Sequence, residues 1–171
     1  YLFFAGHGLA SADGDRLFLL PFDANVGLLE DSALVREEVF AALTDAAPNS
    51  VTVFLDTCFS GGTRTEDMLV ADARRLRISA KASDLPGNFT VLSAAGNDQI
   101  SSSLPETEHG LFSYFLMRGL EGLADANGDR KITAGELFDY IASNVPREAV
   151  RLGRAQNPQL AGDPDRVIVQ M

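Results

Sequence analysis

The chain has 171 residues, 46% of them hydrophobic, and sets 14 Lys and Arg against 24 Asp and Glu, a formal charge of −10. Its length suits one domain with a proper core, and a mean hydropathy of +0.02 fits a soluble globular protein. The acidic balance argues against nucleic acid or an anionic membrane as partner and tolerates basic substrates, while no apolar stretch approaches the roughly 18–20 residues that span a bilayer.

The chain opens on an apolar run, Tyr1-Leu-Phe-Phe-Ala-Gly-His-Gly8, that reads as a short buried strand stopped by glycine. Residues 9–16 are small, polar and glycine-bearing and read as a loop. Leu17–Leu20 is a candidate strand closed by Pro21. Ser32 is a reasonable N-cap for a helix over 33–46, with Val35, Val39, Ala42 and Leu43 on one face. Pro48-Asn-Ser50 ends that helix ahead of a second apolar run, Val51-Thr-Val-Phe-Leu-Asp-Thr-Cys-Phe-Ser-Gly-Gly62, which carries the only cysteine, Cys58. Residues 63–88 break pattern, with Arg64, Arg74, Arg75, Arg77 and Lys81 ahead of Pro86-Gly87. A stretch of that length without clear structure is unusual inside a compact domain and is usually functional or mobile. Strand character returns at 89–95, amphipathic helices are expected over 110–123 and 133–145, and a short last strand over 166–170. Alternating strands and helices predict an α/β fold, a mostly parallel sheet with helices on both faces. There are no internal repeats.

In a parallel sheet, residues just past the strand ends face the crevice where ligands bind. A thiol and an imidazole delivered there by neighbouring strands can act together as nucleophile and base. The plain alternative for a lone cysteine is a buried, inert thiol; the matching strand that delivers His7 outweighs it. Fifty-one residues separate His7 from Cys58, and caspase-type enzymes place the histidine about 50 residues before the cysteine. Phe4-Ala-Gly-His-Gly8 resembles the His-Gly strand end of the caspase/metacaspase superfamily. Asp56-Thr-Cys-Phe-Ser-Gly-Gly62 resembles the Asp-x-Cys-x-Ser-Gly word of its metacaspase and bacterial caspase-like (orthocaspase) branch. Leu17-Phe-Leu-Leu-Pro-Phe-Asp-Ala24 and Leu92-Ser-Ala-Ala-Gly-Asn-Asp-Gln99 are similar to further strands and turns of that branch, in family order.

The resemblance implies a caspase-haemoglobinase fold and a cysteine endopeptidase. Cys58 would supply the thiolate, and His7 would protonate the leaving amine and then help activate water. The backbone N–H groups of Gly8 and Cys58 would hold the oxyanion, and Gly8 lets the backbone approach substrate closely. Gly61 and Gly62 are either similarly permissive or ordinary turn residues, and His109 reads as a solvated loop histidine. Family members with aspartate two places before the cysteine use it to face the substrate's side chain before the cut. Asp56, with Asp98 as a second pocket acid, therefore implies cleavage after basic residues, arginine ahead of lysine because two acids suit its forked donors. The competing role for Asp56 is a cap on local backbone. The family fold normally begins with further elements before the His-Gly strand, so residues 1–171 are expected to lack the first part of their domain. Within them, 1–62 would be the large-subunit-like part, 63–88 a linker open to self-cleavage after Arg74, Arg75 or Arg77, and 89–171 the small-subunit-like part. A monomer is expected. One cysteine offers no intrachain disulfide and suits a reducing compartment, so the cytoplasm is the expected location, with a signal peptide ahead of Tyr1 left open.

Asp125-Ala-Asn-Gly-Asp-Arg-Lys-Ile-Thr-Ala-Gly-Glu136 has the spacing of an EF-hand calcium loop. Asp125, Asn127, Asp129, Lys131 and Glu136 are the candidate ligands, and Ile132 takes the apolar eighth place. Arg130 stands where glycine is expected, at a left-handed position that costs another residue roughly 1–2 kcal/mol. The competing reading is that these residues only cap the following helix. The chemistry itself needs no cofactor. Two further functions compete with the peptidase: a catalytically silent caspase-like interaction module, and a calcium-responsive structural domain. The intact His7 and Cys58 pair argues against the first; under the second, Cys58→Ala would leave all function in place.

Overall fold

A computed structural model describes residues 1–11, 15–57, 85–95 and 110–171. Its centre is β5 (Val51–Asp56), whose six residues are all buried. An unbroken Val-Thr-Val-Phe-Leu run is what a strand covered on both faces requires. It pairs in parallel with β1 (Leu2–Ala5) on one side and β6 (Phe89–Ser93) on the other, and β8 (Gln159–Gly162) closes the sheet antiparallel to β6. The architecture is thus α/β with a mixed, mostly parallel central sheet flanked by helices.

Alternate residues of β5 feed two cores, as the two-residue period of a strand dictates. Val51, Val53 and Leu55 pack with Phe89, Val91 and the Phe40 ring of α2 (Arg36–Asp45), the Phe40 and Phe89 rings lying 5.4 Å apart. Phe54 turns the other way, with Leu92, into a larger cluster built by α3 (Leu111–Arg118) and α4 (Ala134–Arg151). The α4 stripe Leu137, Ile141, Val145 and Ala149 repeats every four residues and is fully buried.

Four local expectations change. Leu9 and Ala10 are strand, not loop. The chain leaves β1 at Gly6 and starts β2 (His7–Ala10), which pairs antiparallel with β3 (Leu17–Leu20) in a second sheet. Ser32 does not cap α2; it ends a one-turn helix α1 (Leu29–Ser32), where its Oγ accepts from the Asn25 N–H at 2.9 Å. The intervening β4 (Leu34–Val35) is taken by β3 through Phe18↔Val35 and Leu19↔Leu34, so the helix starts at Arg36 and Ala42 faces solvent. The helix expected over 110–123 keeps its α geometry only to Arg118 and then widens into a π turn over Gly119–Leu123. The helix expected to stop at 145 runs through Pro146 to Arg151. Proline there removes one internal hydrogen bond, and the burial of Val145 and Ala149 on either side of it offsets the loss.

The last expected strand forms as β9 (Val167–Gln170), paired antiparallel with β7 (Lys131–Thr133) outside the central sheet. β8 was not legible from pattern: Gln-Leu-Ala-Gly has little strand character and owes its conformation to the β6 edge. Gly162 is required there, because a Cβ would stand 2.2 Å from the Phe89 carbonyl oxygen. Among the described residues, no helix is long and apolar enough to cross a membrane. Ile141→Ala, which empties the centre of the α4 stripe, is expected to lower unfolding free energy by about 2–5 kcal/mol, read from urea denaturation.

Candidate active site

The parallel ladder brings the two sequence words to one level. Ala5 pairs with Asp56 at the carboxyl ends of β1 and β5, and the Gly6 N–H extends the ladder by donating to the Asp56 carbonyl oxygen at 3.2 Å. His7 comes two residues beyond Ala5 and begins β2, opposite Leu20 of β3; Gly8 is buried opposite Leu19. Cys58 comes two residues beyond Asp56 in sequence and lies outside the described residues, as do Gly61, Gly62, Asp98, His109 and residues 63–84 of the expected linker. The described part of the site therefore holds His7, Gly8 and Asp56, with Thr57 buried as the last residue before the nucleophile candidate.

Asp56 is fully buried, and its surroundings explain how a carboxylate is tolerated there. Its Oδ2 accepts the Ser113 hydroxyl at 2.5 Å and the Ser113 N–H at 3.3 Å. Ser113 is in the first turn of α3, where backbone N–H groups lack intrahelical partners and favour negative charge. Gly110, at the cap position of α3, has no side chain to offer. Asp56 supplies the capping oxygen from β5 instead, 57 residues away in sequence. Gly110 also makes the approach possible: a Cβ on it would stand 2.0 Å from Asp56 Oδ2. Its φ of −61° suits any residue, so the need for glycine is steric, not conformational.

Residues 1–167 match the family model of the caspase domain, peptidase C14. The chain belongs to this caspase-domain family. The family is named for peptidases. A crystal structure of protein GSU0716 from Geobacter sulfurreducens superposes with a TM-score of 0.54 at 18% sequence identity, covering 96% of this chain and 66% of that one. At that identity the likeness concerns the fold alone, and this caspase-domain chain spans just under two thirds of the length of the protein it matches. No curated protein matches the chain.

Two features of this caspase domain escaped the sequence reading. One is the Gly110–Ser113 support of Asp56, for which the only signal was a glycine and a serine three apart at a helix start. The other is Gln156, fully buried, whose Nε2 donates to the Ala94 carbonyl oxygen at 3.0 Å. The Ala94 N–H in turn donates to the Leu55 carbonyl oxygen at 2.8 Å, so the chain leaving β6 is pinned to β5 and to the segment after α4. No pattern announces a glutamine clamp between residues 62 apart.

The 125–136 loop has the turn its spacing predicted. Arg130 adopts φ +67° and Gly128 φ +75°. Asp125 Oδ1 accepts from the Gly128 N–H at 2.9 Å and its Oδ2 from the Arg130 N–H at 3.1 Å; Asn127 Oδ1 accepts from Asp129, and Asp129 Oδ1 from Lys131, both at 2.8 Å. Glu136 closes a capping box with Thr133 at the start of α4. Among the described residues, no group of three or more His, Cys, Asp or Glu side chains is gathered so as to hold a metal ion.

Gly110→Ala is expected to push Asp56 off α3 and to cost about 1–3 kcal/mol through overpacking, measured by urea denaturation. An unchanged midpoint would refute the steric role of Gly110.

Proposed function

We propose that the chain is the catalytic part of a cysteine endopeptidase that cuts peptide bonds after basic residues, arginine ahead of lysine. The observation that supports this most is Asp56: a buried carboxylate at the carboxyl end of the central strand, level with the residues that lead into His7 and two positions before Cys58. A basic side chain entering there gains a charge-assisted hydrogen bond, and an acidic one is repelled. Asp98 is the second acid of the proposal.

In the proposed reaction the Cys58 thiolate attacks the carbonyl carbon of the basic residue itself. The backbone N–H groups of Gly8 and Cys58 receive the oxyanion that forms, and such donors are worth most where charge develops. His7 gives its proton to the departing amine, leaving an acyl-thioester on Cys58. It then takes a proton from water, whose attack on the thioester releases the acid and restores the thiol. No metal or cofactor takes part in these steps.

Calcium belongs to the proposal only as a ligand of the 125–136 loop. Binding would draw Asp125, Asn127 and Asp129 away from the loop amides they now accept from, and Arg130 in place of glycine weakens it. The alternative reading, a silent caspase-like interaction module, predicts an unreactive Cys58. An arginyl peptide electrophile, applied with and without calcium, is expected to label Cys58 while an aspartyl analogue does not. Preference for the aspartyl compound would sink the specificity, and no labelling of folded protein by either would favour the silent module. In Cys58→Ala, turnover of arginyl substrates is expected to fall by about 10⁶-fold, the scale seen when a nucleophile is removed.

Self-processing is the remaining part of the proposal. Residues 63–88 carry five basic side chains in an otherwise acidic protein, the residue type that the Asp56 reading selects. Cleavage is expected after Arg74, Arg75 or Arg77. Intact-mass comparison with Cys58→Ala reads it directly: equal masses, or the same cut in the variant, would exclude it.

A further inference from the structure

We propose that Ser113 is a positioning residue for substrate selection, holding the Asp56 carboxylate in the orientation from which it pairs with a basic side chain. The inference rests on the reading of Asp56 as the selecting acid. A free aspartate rotates about two side-chain bonds, and each alternative orientation dilutes a directional contact with substrate. Here the hydroxyl and the N–H of one residue both donate to the same oxygen, Oδ2, at 2.5 and 3.3 Å. Two donors on one oxygen fix both rotations. Ser113 is itself buried and sits on a helix whose Leu111, Phe112 and Leu116 anchor it in the larger core, so the support is rigid.

The way α3 is capped sets this arrangement apart from ordinary fold glue. A Ser, Thr, Asp or Asn at position 110 would cap the helix locally. The chain instead keeps glycine there and takes the capping oxygen from Asp56, in a space that any Cβ at 110 would fill. Cap and proposed selecting acid are one group, so the start of α3 and the choice of substrate are mechanically linked.

The test uses the full chain with peptides ending in arginine or in citrulline, its neutral isostere, and reads the ratio of their kcat/KM values. In Ser113→Ala the ratio is expected to fall about tenfold or more, the scale of a lost hydrogen bond to a charged group. Ser113→Thr, which keeps the hydroxyl, should restore it. Asp56→Asn still accepts from Ser113 but carries no charge, so it should abolish the preference, and adding Ser113→Ala to it should lower the ratio no further. If Ser113→Ala does not fold, Ser113→Cys, a weaker donor, is expected to give an intermediate ratio. Arginyl and citrullyl rates that fall together at constant ratio would overturn the proposal and leave Ser113 as structural support only. A wild-type protein without arginine preference would instead overturn the specificity reading, and this proposal with it, in the wild-type measurement alone.

Discussion

A carboxylate taken out of water at the end of a buried strand costs several kcal/mol unless donors replace the lost hydration. Asp56 meets that condition through the first turn of α3, and much of the described structure is arranged around the contact. It requires Gly110 to stay bare, Ser113 to face the sheet, and α3 to pack end-on against the carboxyl end of β5. The helix is held in that place by the stripe of α4, so the long C-terminal helix indirectly supports a residue near the middle of the chain.

The same end of the sheet collects the other polar features. The Gly6 N–H reaches the Asp56 carbonyl oxygen, the Ala94 N–H reaches the Leu55 carbonyl oxygen, and the Gln156 side-chain amide donates to the Ala94 carbonyl oxygen. These bonds continue the sheet ladder one step past its regular strands, where parallel sheets present their binding crevice. Three chain segments are thereby brought to one level with backbone geometry fixed by the sheet. The proposed peptidase activity would need that rigidity, because misplacing a nucleophile or base by about an ångström is enough to slow chemistry severely.

The loop at 125–136 illustrates a different use of acidic side chains. Each of Asp125, Asn127 and Asp129 accepts a nearby backbone N–H, and Glu136 completes a helix cap. Together they start α4 at a defined residue and tolerate Arg130 in a left-handed conformation. A well-started α4 is what presents Leu137, Ile141, Val145 and Ala149 in register to α3.

What the sequence determined by itself is what depends on neighbours in the chain. The apolar runs that became β1, β3, β5 and β6 were legible because short runs of β-branched and aromatic residues favour strands, although β1 is half exposed where burial was expected and β3 pairs antiparallel in the second sheet. The His7 and Cys58 words, with Asp56 beside the cysteine, were legible because their spacing carries the family resemblance, and the caspase-domain match agrees with it. The capping box of Thr133 and Glu136 and the left-handed turn at Arg130 were local as well. Tertiary structure decided the rest. Leu34 and Val35 became a strand because β3 offered an open edge, Pro146 stayed inside a helix because the residues around it are buried, and β8 exists because β6 needed a partner. Above all, the bond from Ser113 to Asp56 spans 57 residues. No local propensity can specify a contact at that distance; it exists only once the sheet and two helices have packed, and it alone gave Asp56 its second role.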